Sequence, residues 1–253
     1  MERAYIVKLL QTRQVTHDVR EFRFEKPKGY PFIPGQATDV TINQPGYTDK
    51  RNPFTFTGFN DDPFLQFTIK RYPDHHGVTD KLHQLQPGDE VIVHDVWGAI
   101  EYRGPGVFFA GGAGITPFLA ILRQLHRDKK VPGNTLFFSN KTIDDIIEHQ
   151  ELLDILGIHV TFLLTQDDTP ATGVHSTTGR RPIISGAPDK GDISTPPLSG
   201  AYLHTRLDKK FIQEQITDFK QPFYICGPDE MVQDLAGYLH ELGASPETVV
   251  FEK

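Results

Sequence analysis

The chain has one cysteine, Cys226, one tryptophan and two methionines in 253 residues. A single cysteine excludes an internal disulfide framework, a four-thiolate zinc site and an iron–sulfur cluster held by this chain alone, since each needs several sulfurs. Any redox chemistry must therefore come from a bound organic cofactor. No window approaches the roughly 18 uninterrupted apolar residues of a spanning helix, and Met1 to Leu10 has no apolar h-region behind its charges. The sequence thus reads as cytoplasmic, with no membrane span. Runs of Lys and Arg are also missing and the net charge is −7, which argues against nucleic acid, because phosphate neutralisation needs a basic face. What is present, 38% hydrophobic and 23% charged residues, suffices for one or two buried cores.

The two halves of the chain differ. Residues 1–104 carry 13 Lys and Arg against 14 Asp and Glu, whereas residues 105–253 carry 13 against 19. The first half reads as short strands of period two at Tyr5–Leu10, Val19–Phe24, Thr38–Ile42, Phe64–Lys70 and Glu90–His94. Pro-Gly and Lys-Gly turns at 26–29, 34–35, 45–46 and 87–89 punctuate them, as in an all-β barrel. After Gly104-Pro105-Gly106, strands and helices alternate at a spacing that implies βαβ units and a mostly parallel sheet. Strands are expected at 107–110, 135–138, 159–164, 222–226 and 248–251, with helices at 117–127, 143–156, 211–217 and 230–242. The expected architecture is an antiparallel six-stranded β-barrel, residues 1–104, followed by a parallel-sheet α/β domain, residues 105–253. Thr169 to Gly200, rich in Thr, Ser, Gly and Pro, fits neither pattern and reads as an insertion loop.

Chemistry concentrates at strand ends. Ala110-Gly111-Gly112-Ala113-Gly114-Ile115-Thr116-Pro117 lies between an apolar strand and a helix. Glycines let the backbone approach a pyrophosphate, and a helix N-terminus supplies unbonded N–H groups and a positive dipole end; a tight turn without ligand explains the motif equally well when it is taken alone. The next strand ends in Ser139-Asn140-Lys141-Thr142, a hydroxyl and a cation where an NAD-reading fold would place an acid, so NADP is favoured over NAD. Tyr224-Ile225-Cys226-Gly227-Pro228 occupies another strand end, where open α/β sheets bind ligands. In the first half, Lys50-Arg51-Asn52-Pro53-Phe54-Thr55 combines a guanidinium, an aromatic face and a hydroxyl, which can hold a phosphate and stack on a planar ring, or can be an ordinary strand. Gly77-Val78-Thr79 opens a short helical stretch and offers a second anion site. The adjacent His75 and His76, in a Pro-Asp-His-His-Gly turn, read as exposed, and no metal is expected.

With these segments in order, the chain resembles the ferredoxin–NADP reductase superfamily, and within it the bacterial flavodoxin or ferredoxin reductase-like enzymes, with cytochrome b5 reductases as more distant relatives. The resemblance covers nearly everything except 169–200. It implies a flavin-binding barrel and a nicotinamide-dinucleotide domain, with FAD preferred to FMN and NADPH to NADH. It implies that Phe54 packs on the isoalloxazine, Thr55 faces its N5, and Arg51 grips the flavin phosphate beside Asn52 and Pro53. Ile69, Lys70 and Arg71 resemble the next flavin-contacting strand, and Gly77, Val78 and Thr79 the pyrophosphate loop. Gly112, Gly114 and Thr116 match the dinucleotide turn, Ser139 and Lys141 the 2′-phosphate end, with Arg206 (or Arg180 or Arg181) assisting, and Cys226, Gly227 and Pro228 the motif beside the nicotinamide. Thr55, Cys226 and Glu252 become the catalytic candidates. The sequence departs from the family pattern in three places: Asn52 stands where the motif arginine belongs, Lys253 follows Glu252 where many relatives end in an aromatic, and the usual Gly-Arg-Ile/Leu segment is His204-Thr205-Arg206-Leu207, reached only after the extra loop.

The implied activity is hydride transfer from NADPH to FAD, then electron release to a separate carrier such as flavodoxin or ferredoxin. Arg13, Arg20, Arg23, Lys70 and Arg71 are candidates for docking that carrier, or else scattered solvated charges. A monomer is expected. The rival readings are an NADH-dependent, cytochrome b5 reductase-like enzyme reducing a haem protein or quinone, and a flavin- or nucleotide-binding module without turnover.

Overall fold

The computed structural model describes residues 3–75, 77–98, 100–166 and 200–251, so the 169–199 stretch and Glu252 lie outside the described residues. The first six strands are β1 (Tyr5–Thr16), β2 (Val19–Glu25), β3 (Ala37–Ile42), β4 (Asn52–Thr55), β5 (Phe64–Lys70) and β6 (Glu90–Trp97). They form one antiparallel sheet in the order β4-β3-β6-β1-β2-β5. Period-two sequences build it. Val7 and Leu9, Phe22 and Phe24, Val40 and Ile42, Leu65, Phe67 and Ile69, and Val91 and Val93 all point into one buried cluster, while Ile6 and Leu10 face outward. Each fully buried large side chain contributes about 1.5–3 kcal/mol relative to exposure. The two edge strands meet where the chain leaves β4: Phe56 bridges Phe67, and the Thr57 amide donates to the Gln66 carbonyl at 2.8 Å, closing the sheet into a barrel. The five-residue α1 (Val78–Leu82) contributes Val78 and Leu82 to the same core.

The second sheet is parallel, in the order β10-β9-β8-β7-β11-β12, from β7 (Val107–Gly111), β8 (Thr135–Asn140), β9 (Val160–Leu164), β10 (Ala201–Leu203), β11 (Phe223–Cys226) and β12 (Val249–Phe251). Its central strands are apolar on both faces, as helices on either side require. On β7, Phe108 enters one core beneath α2 (Thr116–Arg127) and α3 (His149–Leu156), and Phe109 enters the other beneath α4 (Lys209–Gln215) and α5 (Asp229–Glu241). Several elements differ from the sequence reading. β1 and β6 run on to Thr16 and Trp97, and β10 has no counterpart in it. Helix α3 begins at His149 rather than Ile143, because Thr142 and Asp145 form a reciprocal capping box around a single 3₁₀ turn, Ile146 is extended, and Glu148 takes the left-handed conformation at φ 51°.

Packing joins the two sheets. Val19 and Ile100 belong to the same buried cluster as Ile121 and Leu122 of α2. Around them runs a lattice of charges. Arg123 of α2 donates to both Glu151 oxygens at 2.7 and 2.6 Å and to the Thr57 carbonyl of the barrel at 2.5 Å. Arg13 of β1 binds Glu21 at 2.7 Å and also pairs with Glu148. Burial opposes the charge on Arg123, but the Glu151 carboxylate more than offsets it and the guanidinium pKa is raised. A left-handed non-glycine residue costs about 1–2 kcal/mol, and at Glu148 the two arginines on its carboxylate offset that cost.

Burial lowers the pKa of His83, whose Nε2 bonds the Ile69 carbonyl at 2.9 Å, and of His149. The unfolded chain then binds more protons than the folded one just below the ordinary histidine pKa near 6.5, so stability is complete above it and falls as pH drops. The unfolding midpoint should decline from pH 7 to 5, and His83→Gln should flatten that decline; an unchanged slope in the variant would remove the assignment.

Candidate functional site

Chain order fixes where a ligand can sit in the parallel sheet. From β7 the chain builds outward through β8, β9 and β10 on one side and returns to place β11 and β12 on the other, so the direction of winding reverses between β7 and β11. At such a reversal, the crossover connections diverge and leave a crevice outside the carboxyl ends of the strands. The glycine motif and Cys226-Gly227-Pro228 follow those two strands, and Ala110 sits beside Cys226 in the register.

The turns touch backbone to backbone. A Cβ on Gly114 would fall 2.3 Å from the Cys226 carbonyl oxygen and 2.5 Å from the Gly227 nitrogen, and one on Gly227 would fall 3.1 Å from the Gly111 backbone. Gly112 is different: at φ +51° a Cβ there would meet nothing within 4 Å, so open space lies beside the 3₁₀ turn Gly112–Ile115. That turn runs into α2, where the Thr116 hydroxyl donates to the Ala113 carbonyl at 3.0 Å and Pro117 occupies the first turn without wasting a donor. The half-buried backbone of Gly112 to Gly114, beside that open space, suits the approach of a pyrophosphate. Ser139 pairs in register with Gly111 at the carboxyl end of β8, and the exposed Lys141 follows it. Arg206 is exposed three residues beyond β10, at the same end of the sheet. Arg180 and Arg181 lie outside the described residues, as does Glu252.

The barrel residues gather around its closure. Asn52, Pro53, Phe54 and Thr55 form β4 itself; Arg51 precedes it and is exposed, and Phe54 is half-buried with its ring edge-on to Phe67 at 6.5 Å. β4 is an edge strand, so its side away from β3 has no ladder partner until Phe56. A guanidinium, a half-exposed ring and a hydroxyl within the five residues Arg51 to Thr55 fit a phosphorylated planar ligand. On β5, Ile69 faces the barrel core, Lys70 pairs with Asp18 at 2.9 Å, and Arg71 pairs with Asp80 at 2.7 Å. Gly77 precedes α1, whose Val78 is buried and Thr79 half-buried.

The five docking candidates are engaged within the chain. Arg13 and Arg23 converge on Glu21, Lys70 and Arg71 hold Asp18 and Asp80, and Arg20 bonds the Gln14 side chain and the His83 carbonyl. Arg13 and Arg71 stay 46% and 45% exposed while paired. The acids that engage four of them are spread from Asp18 to Glu148, a separation that carries no local sequence signal. A further cluster absent from the sequence reading brings His17, Asp18 and Asp145 within 4.8 Å, with Asp18 already held by Lys70.

Residues 108–179 match the oxidoreductase NAD-binding domain family. The chain is 24% identical over 238 residues to the naphthalene 1,2-dioxygenase system ferredoxin–NAD(P)+ reductase component of Pseudomonas putida, covering 92% of this chain and 64% of that protein. It is 32% identical over 264 residues to the glycine betaine monooxygenase reductase subunit of Chromohalobacter salexigens, covering 96% and 65%. The ferredoxin NADP+ reductase from Neisseria gonorrhoeae, solved with bound FAD and NADP, superposes with a TM-score of 0.73 at 18% identity over 98% of both chains. These matches are ferredoxin reductase-like FAD/NAD-binding oxidoreductases, consistent with the ferredoxin–NADP reductase superfamily. The two sheets, one antiparallel and one parallel with helices, match the two-domain fold of ferredoxin–NADP reductase-like structures. It spans about two thirds or slightly less of the length of the two curated relatives above. Among the described residues, no helix is long and apolar enough to cross a membrane.

The superfamily turn rests on the missing Cβ at Gly114. Gly114→Ala must push backbone against backbone and should cost more than about 3 kcal/mol in urea unfolding, the range reserved for overpacked or strained sites. Gly112→Ala, with open space around it, should cost about 1–2 kcal/mol from its φ alone. Equal losses would show that the Gly114 contact is not limiting.

Proposed function

We propose that the chain is an NADPH-dependent flavoprotein reductase that takes hydride from NADPH onto FAD and delivers electrons to a separate redox carrier such as flavodoxin or ferredoxin. The observation that carries this reading is the glycine turn at the reversal point between β7 and β11, with open space at Gly112 and a hydroxyl and a cation at the end of the neighbouring strand. Residues 1–104 form the flavin domain and 105–253 the nucleotide domain in this reading.

Each group has a chemical task. The backbone at Gly112 and the amino end of α2 hold the nucleotide pyrophosphate, with Gly114 and Thr116 shaping the turn. Ser139 and Lys141 take the 2′-phosphate, and Arg206 joins them from the end of β10. On the barrel, Arg51, Asn52, Pro53 and Phe54 hold the flavin, together with the backbone near Ile69 to Arg71 and the Gly77–Thr79 segment. Thr55 offers its hydroxyl to the ring. When bound, the flavin supplies the conversion between two-electron and one-electron transfer. Cys226, half-buried at the tip of β11, shapes the space beside the reacting ring with Gly227 and Pro228. Glu252 orients the nicotinamide or relays a proton.

The carrier meets cations that are already engaged within the chain, so surface complementarity contributes more to docking than net charge does. Anaerobic titration of the purified, flavin-loaded protein should bleach the visible flavin band rapidly with NADPH and slowly with NADH. A yellow protein that neither nucleotide bleaches would overturn the reductase reading. Lys141→Asp should depress kcat/KM for NADPH by at least tenfold, consistent with loss of a charge-assisted phosphate contact of about 1.5–3 kcal/mol, and leave NADH nearly untouched; equal losses would remove Lys141 from the 2′-phosphate site.

A further inference from the structure

The charge lattice between the two sheets lies at the junction of both halves of the proposed site. Helix α2 starts at the glycine turn and carries Arg123 two turns further on. Strand β4 carries Phe54 and Thr55, and the chain reaches Thr57 two residues later. Arg123 Nη1 donates to the Thr57 carbonyl at 2.5 Å. One guanidinium thus connects the helix that begins at the nucleotide turn to the backbone that ends the flavin strand. The same group is fixed from behind by a bidentate pair with Glu151 of α3, at 2.7 and 2.6 Å, a geometry that leaves a guanidinium little freedom to turn.

Other contacts point the same way. Glu148 adopts its left-handed backbone where its carboxylate lies between Arg123, at 3.6 Å, and Arg13 of β1. Arg127, one turn beyond Arg123, pairs with Asp61 at 2.8 Å and covers the Phe59 ring at 4.2 Å, tying α2 to the loop after Thr57. The Arg123 end of this set is the better shielded: Arg123 and Glu148 are each 10% exposed and Glu151 35%, against 43% for Arg127 and 68% for Asp61. Solvent screens the Arg123 pairs less than the Arg127 pair.

We propose that Arg123 is a positioning residue for hydride transfer: by fastening α2 to the Thr57 carbonyl, with Glu151 and Glu148 as its anchors, it sets the approach of the nucleotide turn to the flavin strand. This rests on the reductase reading above. Arg123 touches neither ligand and acts through the two backbones it joins. Its effect belongs in the rate of the hydride step at saturating nucleotide, because reacting atoms displaced by about 1 Å can slow a reaction 10²-fold while the ligands remain bound.

The test is anaerobic stopped-flow reduction of the flavin-loaded chain across a range of NADPH concentrations, for wild type, Arg123→Met and Glu151→Gln. Photochemical reduction of the same samples serves as a readout that bypasses the nucleotide site. Arg123→Met is expected to lower the limiting rate by between about 10- and 100-fold, with the half-saturating NADPH concentration and the photochemical rate unchanged; Glu151→Gln is expected to lower it less, in the same direction. A folded Arg123→Met protein with the wild-type limiting rate, or one whose whole defect is in half-saturation, overturns the proposal. Where Arg123→Met fails to fold or to hold flavin, Glu151→Gln decides, and a wild-type limiting rate in that variant overturns the proposal. A wild-type protein whose flavin no nucleotide reduces overturns the reductase reading itself, an outcome separable from any difference between variants.

Discussion

The contact on which the second half depends is the meeting of two backbones without side chains between them. At Gly114 a methyl group would sit inside the Cys226–Gly227 backbone, and at Gly227 it would crowd the Gly111 backbone at 3.1 Å, so β7 and β11 end this close side by side because both turns are stripped to backbone. That closeness has two effects. It lets the sheet reverse its winding at this pair of strands, and it leaves the backbone around Gly112 uncovered. Structure and ligand surface therefore come from the same glycine requirement, and a change that relaxes one disturbs the other.

The barrel and the α/β sheet are held together by unlike forces. Val19, Ile100 and Ile121 supply apolar burial, which is strong but non-directional. Arg123, with its bidentate acid and its barrel carbonyl, supplies direction. Burial alone would let α2 slide on the barrel surface at small cost, whereas two fixed donors on one planar group define a distance and an angle.

Much of this was legible in the sequence. Alternating residues such as Val7 and Leu9, Phe22 and Phe24, and the apolar run Val107–Ala110 announced which side faces the core, because a strand of either type must bury what its pattern presents. The glycine motif and Cys226-Gly227-Pro228 were visible as strand ends, and the structure brings them into contact. The three-residue β10 was not visible: it is too short to show a period and is held by pairing with β9 and by Tyr202 packed on His149 and Phe162, contacts made only in the fold. The start of α3 was misplaced since Ile143, Ile146 and Ile147 continue a helical-looking pattern that the Thr142–Asp145 capping box interrupts. The charge lattice was the least legible part. Arg13 and Glu148 are 135 positions apart, and no local pattern marks an arginine as spoken for by an acid brought to it by folding.

The closure of the barrel carries a further consequence. A sheet whose edges meet along a full ladder is closed by backbone hydrogen bonds throughout, but here the backbone seam among the described residues is the Phe56–Phe67 bridge and the Thr57 amide on Gln66, backed by the Thr57 and Thr68 hydroxyls and by the Phe54 and Phe56 rings on Phe67. The barrel is therefore a cuff whose clasp is mostly side chains. The clasp is next to the Arg123 fastening, and a flat molecule lodged along the outer edge of β4 would extend that side of the wall.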